Sequence, residues 1–467
     1  MELDKMTAAA AAKAVNNREI SARELTEAYL NRCTTLNSTL HSLVHIFEQE
    51  ALRQAEAVDS LVSRGETALP LAGVPVVLKD DLCYSAGPTT WGAASLKNFQ
   101  PPYTAAAAQK LIDAGAIIVG KANLDQFGLG SSAASSYAGP AANPRDPARP
   151  AGDGAAAAVA AGQCLLGLSS DSGGSLRMGA SHCGLFGLRP TTGLVSRHGL
   201  YTHAPSFASV ALAARDTADI NLALQVISGY DSRDAATAAV KDGAPRAEGE
   251  KLSRSVKIGY PKDLFALLPH HTLSALEPAR ERYRAAGAEF VEITLPLFRE
   301  ALLAYYVIAY AEASSNLSRF DGIRFGLSAE GANLEEYYFK TRGAAFDAEA
   351  KRRVIIGTHL LSQDNFERYY RQAQKVWRLI RQSFATALEK CDLIMLPAVL
   401  APAEAREESQ DFLKAYIQGC FCAPVSLSGL PALSAPASEV GALPVGLQLV
   451  GRPFAETTLA DLAGRAA

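Results

Sequence analysis

The sequence predicts an α/β fold in which helices cover both faces of a mixed, mostly parallel central sheet. Helical and strand-like segments alternate along the chain, and this alternation favours parallel strands joined by helices. The strand-like segments are short apolar runs that end in charge or glycine, as at 73–80, which is typical of buried strands. A content of 48% apolar and 20% charged residues is ordinary for a globular chain of 467 residues.

Helices are predicted for most of residues 1–65. Ser21 is followed three residues later by Glu24, and this capping-box spacing starts a helix that continues through Tyr29 and Cys33. Residues 46–62 have amphipathic spacing and predict the next helix.

Two predicted strands follow, and each ends at a lysine. The run at 73–79 ends at Lys79 and the run at 116–121 ends at Lys121, with a helix predicted between them at 104–114. Residues 127–189 are rich in Gly, Ser and Ala, with a helix predicted at 155–161 and a strand at 165–168. Glycines between such elements mark backbone that turns sharply or approaches other groups closely.

The C-terminal half repeats the alternation after a polar surface segment at 235–255. The predicted elements are strands at 255–260, 289–293, 392–397 and 443–451, and helices at 273–286, 299–318 and 349–390. All elements are expected to form one domain, divided into N-terminal helices at 1–65, a core at 66–230, a helical insertion at 231–390 and C-terminal strands at 391–467.

Composition excludes several classes of protein. The net charge is −3, without the basic excess that direct nucleic-acid or anionic-membrane binding requires. The seven scattered cysteines contain no CxxC pair, so neither a disulfide framework nor a zinc module is predicted. No run approaches the ~18–20 apolar residues of a membrane span, and the N-terminus lacks a signal-peptide pattern. We therefore expect a cytoplasmic protein with no metal and no cofactor.

Histidine and cysteine pairs also allow predictions. His41 and His45 have helical i, i+4 spacing but no glutamate between them, so a surface helix pair is favoured over a zinc site. Cys420 and Cys422 are predicted to be packed thiols on an extended segment. His182 and His198 are near the candidate nucleophile in sequence, and packed or surface positions are favoured for both.

The segment at 170–177 is the sharpest chemical feature. Ser175 follows Gly173 and Gly174 and precedes an apolar segment, so several backbone N–H groups can converge on it. Such N–H groups stabilise an oxyanion when a serine attacks a carbonyl. A helix cap and a phosphate-binding loop are alternative interpretations of the same pattern. Lys79, at the end of a buried strand, is the second feature, because a desolvated lysine can act as a base.

The chain resembles the amidase signature family over nearly its whole length. The resemblance is carried by ordered motifs at 73–80, 114–123, 130–132, 170–175, 183–190, 312–324, 351–358 and 443–451. It implies an α/β/α domain around a mixed sheet, and amide cleavage by a lysine, a serine in a cis peptide and a serine nucleophile. Under it, Lys79 matches the base and Ser175 the nucleophile, with the backbone N–H groups of Ser172, Gly173 and Gly174 as the oxyanion hole.

Within the family, the chain is most similar to the A subunits of glutamyl-tRNA(Gln) and aspartyl-tRNA(Asn) amidotransferases. This similarity implies a small amide substrate, and a complex with two further subunits, one small and C-type, the other B-type and tRNA-binding. It assigns Ser131 and Ser132 to substrate binding, and Arg352 or Arg353 to the carboxylate of glutamine. The aspartate that would hold the ammonium of glutamine is replaced by Gly419.

The sequence departs from the family pattern at the bridging serine. That serine belongs 24 residues before the nucleophile, a position occupied here by Ala151. Asp153 is the only polar side chain between Pro150 and Ala155, and an ion pair with Lys79 would keep the lysine protonated and make it a poorer base. An Asp and a Gln of another family motif are likewise Ala208 and Ser209.

Two hypotheses follow from these residues. In the first, the chain is an active amidase in which Ser175 and Lys79 work through a water molecule or Ser172 in place of the missing bridge. In the second, it is a pseudo-amidase that keeps the fold in order to bind a ligand or partner subunits.

Overall fold

The computed structural model describes residues 3–65, 69–130, 135–240, 255–405 and 412–467. Over these residues, eleven strands form one sheet in the order β1-β3-β2-β6-β8-β7-β12-β13-β11-β9-β10. Their bounds are β1 Leu43–Ile46, β2 Pro75–Lys79, β3 Ile117–Ala122, β6 Leu166–Asp171, β7 Phe186–Arg189, β8 Ser209–Ala214, β9 Val256–Tyr260, β10 Ala288–Glu292, β11 Leu393–Pro397, β12 Ala432–Val440 and β13 Leu443–Gly451. A separate hairpin pairs β4 Ala142–Asn143 with β5 Asp146–Pro150.

The predicted mixed sheet is confirmed. The β2–β3, β2–β6, β9–β10 and β9–β11 pairs are parallel. The six other pairs are antiparallel, so the antiparallel share is larger than the helix–strand alternation suggests. Four of the six antiparallel pairs involve β7, β8 or β12, which the sequence patterns did not reveal. The strand β1, also unpredicted, pairs with β3, and the predicted strands β11 and β13 run in opposite directions.

Helices flank the sheet. Their bounds are α1 Ala8–Asn16, α2 Ala22–Leu40, α3 Glu48–Ser63, α4 Ala106–Asp113, α5 Gly154–Ala160, α6 Ser175–Cys183, α7 Thr217–Ile227, α8 Lys262–Phe265, α9 His270–Ala285, α10 Phe298–Asn316, α11 Leu334–Ala345, α12 Ala348–Leu361, α13 Gln363–Asn365, α14 Arg371–Lys390, α15 Phe412–Ile417, α16 Cys422–Ser428 and α17 Glu456–Ala466. The capping box of α2 is confirmed, since Ser21 and Glu24 each bond the other's backbone N–H.

The central strands are buried along their whole length. Every residue of β2, β3, β6 and β11 is buried, as expected for strands covered on both faces. Helix α5 approaches the sheet closely because alanine lies at the contact: a Cβ added at Gly167 of β6 would lie 3.2 Å from the Ala155 Cβ. Small residues on both sides of this contact therefore set the distance between helix and sheet.

Three predictions about local structure are wrong. Ile46 ends strand β1 rather than starting a helix, and α3 begins at Glu48. His41 is the left-handed C-cap of α2 and His45 lies in β1, so the two do not share a helix face. Cys420 ends a 3₁₀ turn and Cys422 starts α16, so their segment is helical rather than extended.

Apolar side chains form two clusters. The larger one runs through the sheet and the surrounding helices. The smaller one contains Trp91, Phe127, Phe320 and Phe346 and lies where the helical insertion meets the loops that follow the central strands. Over the parts of the chain given above, no helix combines the length and the hydropathy of a membrane span.

Candidate active site

Two adjacent parallel strands bring the predicted lysine and serine together. Strand β2 ends at Lys79, and its neighbour β6 ends at Asp171, four residues before Ser175 at the start of α6. Because the carboxyl ends of parallel strands meet at one edge of a sheet, the two side chains converge. The Lys79 Nζ lies 3.2 Å from the Ser175 Oγ.

Both residues line a cavity of about 600 Å³, which we call the nucleophile cavity. Of the other predicted site residues, Ser172, Gly173, Arg352 and Arg353 line this cavity, as does Gly419. Gly174 is buried behind Gly173 and contacts α16. Ser131 and Ser132 lie outside the described residues.

Several backbone N–H groups of the loop before Ser175 make no hydrogen bond within the described residues. The N–H groups of residues 172–175 have no acceptor among the residues the structure describes, whereas the Met178 N–H bonds the Gly174 carbonyl at 2.8 Å. Unbonded N–H groups at a helix start can stabilise a developing negative charge. This arrangement fits an oxyanion hole.

A buried ion pair holds the loop in place. The Arg177 Nη2 lies 2.9 Å from the Asp171 Oδ1, and both side chains are fully buried. Gly174 has φ +113°, and a Cβ there would lie 2.1 Å from the Cys422 Cβ. Only glycine combines this left-handed backbone with such close packing.

In this geometry the Ser175 hydroxyl has no basic acceptor for its proton. The Ser175 hydroxyl donates to the Ser170 carbonyl at 3.2 Å. The Lys79 ammonium donates to the Ser175 Oγ at 3.2 Å and to the Ser170 carbonyl at 3.3 Å. Activation requires Lys79 to lose a proton first, because an ammonium has no lone pair with which to accept one.

Asp153 occupies the position beside Lys79. Its Oδ2 lies 2.9 Å from the Lys79 Nζ and accepts the Ser169 hydroxyl at 3.0 Å. Its Oδ1 accepts the Ala155 N–H at 2.9 Å as the N-cap of α5. Ala151, two residues earlier, is fully buried and brings no polar atom on its side chain. All peptide bonds in the described ranges are trans.

Lys79 is held in its charged form. Burial alone would lower the pKa of Lys79, but the nearby carboxylates of Asp153 and Asp81 outweigh burial and raise it above the ordinary value. Burial raises the pKa of Asp81 to about 6, although Lys79 and the Ser170 hydroxyl act in the opposite direction. At neutral pH the site therefore contains an ammonium between carboxylates.

Arg352 and Arg353 already have a counter-ion. Both project from α12 and pair with Glu349 one turn earlier, and the Arg353 Nε lies 2.7 Å from the Glu349 Oε1. The Arg353 guanidinium also lies 5.0 Å from the centre of the Tyr310 ring and 5.8 Å from that of Tyr416. These contacts fix the guanidinium without requiring a ligand.

The nucleophile cavity carries more negative than positive charge. Its described lining contains the cations Lys79, Arg352 and Arg353 and the carboxylates Asp81, Asp125, Asp153, Asp347 and Glu349. In the described ranges, no group of three or more His, Cys, Asp or Glu side chains is arranged to hold a metal ion.

Sequence reasoning missed some residues of the lining. His203 is buried there, and burial, followed by the nearby Arg353 and Lys79 charges, lowers its pKa to about 3. His182 and His198 do not line this cavity among the described residues. Asp81 directly follows Lys79 and Asp80 in the sequence, and this run of charge was the one available signal for it.

Comparisons with known proteins agree with this architecture. The profile of the amidase family matches residues 24–460. Among the A subunits of glutamyl-tRNA(Gln) amidotransferases, that of Geobacter metallireducens is 43% identical over 98% of this chain and 96% of its own length. The crystal structure of the same subunit from Thermotoga maritima is 29% identical, with a TM-score of 0.76 over 100% of this chain and 95% of that one. A peptide amidase from Stenotrophomonas maltophilia shares the fold at a TM-score of 0.84, with 24% identity over 100% of this chain and 97% of that one.

Proposed function

The chain belongs to the amidase family, and on that premise we propose that it is the carboxamide-cleaving subunit of an amidotransferase-type complex. The observation that carries the proposal is the 3.2 Å contact between the Lys79 Nζ and the Ser175 Oγ, next to four backbone N–H groups, at 172–175, that have no acceptor among the described residues. A base, a nucleophile and an oxyanion site are the three parts that acyl transfer from an amide requires.

In the proposed reaction the Ser175 Oγ attacks the amide carbon while its proton passes to neutral Lys79. The carbonyl electron pair moves to oxygen, and the N–H groups of residues 172–175 stabilise the resulting oxyanion. The intermediate then re-forms the C=O bond and breaks the C–N bond, and Lys79 returns the proton to the leaving nitrogen. A primary amide releases ammonia in this step, and water hydrolyses the acyl-serine ester afterwards.

The proposed substrate is a small carboxamide, and free glutamine is a poor candidate. Gly419 lines the cavity where a carboxylate would be needed to bind the ammonium group of glutamine. Glu349 already pairs with both Arg352 and Arg353, so a substrate carboxylate would compete with an internal partner. No cofactor enters the proposed reaction.

The proposed complex contains B- and C-type amidotransferase subunits, because the relative from Geobacter metallireducens is itself named as one subunit of an amidotransferase. Contact with tRNA would be made by the partner, since this chain has a net charge of −3.

Co-expression with B- and C-type subunits of the same genome is expected to give one co-eluting complex in size-exclusion chromatography. Separate elution of this chain would contradict the assembly.

A specific observation favours a second function, that of an inactive amidase-fold subunit. The 2.9 Å Lys79–Asp153 pair keeps the base protonated, and Ala151 provides no hydroxyl to relay a proton. Under this alternative the cavity binds a ligand, or the chain supports partner subunits, without chemistry.

Labelling with a fluorophosphonate probe separates the two functions. The active form is expected to label at Ser175, slowly at pH 7 and faster as the pH rises toward the pKa of Lys79. Ser175→Ala removes the hydroxyl oxygen that the probe modifies and should abolish labelling. An unchanged melting temperature would show that the variant is folded. Absence of labelling of the wild type at every pH up to about 10 would contradict the enzyme and favour the inactive subunit.

A further inference from the structure

A second cavity of about 620 Å³ adjoins the nucleophile cavity. Trp91, Tyr201 and Thr202 line both cavities and form the wall between them. We call the second one the arginine cavity, because its described lining includes four arginines and a single carboxylate, that of Asp234. Its volume lies in the range of about 300–1,000 Å³ that small-molecule sites occupy.

Two of the four arginines are neutralised within the protein. The Arg197 Nη2 lies 3.0 Å from the Asp234 Oδ1, and the Arg197 Nη1 donates to the Pro205 carbonyl at 2.8 Å. The Arg233 Nε lies 2.9 Å from the Asp231 Oδ1. In each pair the charges of arginine and aspartate largely cancel.

The other two arginines carry uncompensated charge. Arg319 donates to the Asn316 carbonyl at 2.9 Å and to the Asn316 Oδ1 at 2.8 Å, which positions its guanidinium on neutral acceptors. Neither Arg319 nor Arg324 forms an ion pair within the described part of the chain. The arginine cavity is thus positive, whereas the nucleophile cavity beside it is negative.

Aromatic rings form the rest of the wall. Phe99 lies 5.6 Å from Phe325 and 6.3 Å from Tyr201, measured between ring centres. Tyr103 stacks on His198 at 5.0 Å, and Tyr103 is 40% exposed. Accessible ring faces favour a planar ligand, and a guanidinium favours carboxylate or phosphate groups.

We propose that the arginine cavity binds a planar aromatic anion, with the ring against Phe99 and Tyr103 and the carboxylate or phosphate on Arg319 and Arg324. The nucleophile cavity repels such a ligand through its excess of carboxylates, so the anion is held outside the nucleophile, behind Trp91 and Tyr201. This site does not depend on whether Ser175 is reactive.

Tryptophan fluorescence tests the site directly. The chain has two tryptophans, and Trp377→Phe leaves Trp91, which lines the arginine cavity, as the single reporter. Titration with AMP or with benzoate is expected to change its emission with saturation below about 1 mM. A response to AMP identifies phosphate as the accepted group and a response to benzoate identifies carboxylate. Adenosine and inorganic phosphate, which each lack one half of the ligand, should bind at least about tenfold more weakly.

Matched variants locate the bound anion. Arg319→Gln with Arg324→Gln is expected to weaken binding about tenfold or more, while Arg378→Gln, an exposed arginine on α14 outside both cavities, leaves it unchanged. The proposal is overturned by the absence of saturation with both anions, or by equally tight adenosine binding. It is also overturned by binding that survives the double variant and is lost in Arg353→Gln, which would place the anion in the nucleophile cavity.

Discussion

At the scale of single residues, Asp153 makes three separate contacts at the site. One carboxylate caps α5, accepts the Ser169 hydroxyl and pairs with Lys79 while remaining buried. A buried ion pair whose hydrogen bonds are all made is costly to break, because removal of one partner leaves the other charge uncompensated. The contacts that cap α5 therefore also hold Lys79 in its charged form.

Replacing Asp153 with Ser is expected to activate Ser175. Asp153 and Asp81 hold the pKa of Lys79 above its ordinary value against the effect of burial, so loss of Asp153 lowers that pKa and raises the neutral fraction at pH 7. Removing an adjacent opposite charge typically shifts a pKa by about 1–3, which corresponds to at least about tenfold faster fluorophosphonate labelling. Serine also caps helices well, so α5 should persist.

The control for this experiment is Asp146→Ser. Asp146 also pairs with a cation, Arg149, at 2.9 Å, but it lies on β5 outside the nucleophile cavity. The rate of labelling should be measured from pH 6 to pH 10 for both variants. Only Asp153→Ser should shift the profile to lower pH, and identical profiles for wild type and Asp153→Ser would contradict the role assigned to the ion pair.

At the scale of secondary-structure elements, the contact between α10 and α12 shapes one side of the nucleophile cavity. Helix α10 contributes Tyr305 and Tyr306 to the lining, and α12 contributes Arg352 and Arg353. The two helices can approach because Gly357 has no side chain: a Cβ there would lie 2.0 Å from the Tyr310 carbonyl oxygen. Backbone cannot yield to such a clash without moving a helix.

Gly357→Ala is therefore expected to lower the free energy of unfolding by about 1–3 kcal/mol, measured by urea denaturation. Gly343→Ala is the matched control, since this glycine also lies within a helix, α11, but nothing lies within 4 Å of an added Cβ. The control should stabilise by up to about 1 kcal/mol, because alanine favours the helix over glycine. Equal effects of the two substitutions would show that helix propensity rather than packing decides both.

At the scale of the whole molecule, a single sheet passes through the core and buries the strands that carry the candidate site. The parallel strands β2, β3 and β6 lie together toward one end, and antiparallel strands connect them to a second parallel group of β9, β10 and β11. The larger apolar cluster extends across both groups. We expect a continuous core of this kind to shield reactive side chains from solvent and from reagents along the whole sheet.

The reactivity of the seven cysteine thiols measures how well the core excludes reagents. All are free, six are buried and Cys420 is partly buried. Burial raises the thiol pKa to about 12 at Cys33 and Cys420 and to about 11 at Cys422, so reactive thiolates are scarce. Ellman's reagent should modify at most one thiol at pH 8 in the native protein, and all seven in denaturant. Rapid modification of several thiols in the native protein would contradict the continuous core.

The sequence was sufficient where local chemistry determines structure. The strand that ends at Lys79 was predictable because its first four residues form a short apolar run that ends in charge, and α2 because its capping box is local. The pairing of Lys79 with Ser175 was predictable as a hypothesis, because the family resemblance assigns the base and the nucleophile to these two residues. The roles of the two residues remain predictions that the labelling experiment decides.

Other features depend on contacts between distant segments and have no local signal. Strands β7 and β12 are short or interrupted and obtain their order from their neighbours in the sheet. Residues such as Glu349 and His203 reach the nucleophile cavity only because α10, α12 and the loop after β7 pack together. The charge of the arginine cavity likewise depends on which arginines meet an aspartate, and sequence spacing does not reveal that.

The double duty of Asp153 has an evolutionary consequence. Because the carboxylate pairs with the buried Lys79, its loss costs stability and also lowers the pKa of Lys79, so under the proposed activity selection for heat resistance and selection for fast turnover act on this position in opposite directions. A lineage at high temperature should retain the aspartate, whereas a lineage under demand for nitrogen release should exchange it for serine and recover the lost stability at sites elsewhere.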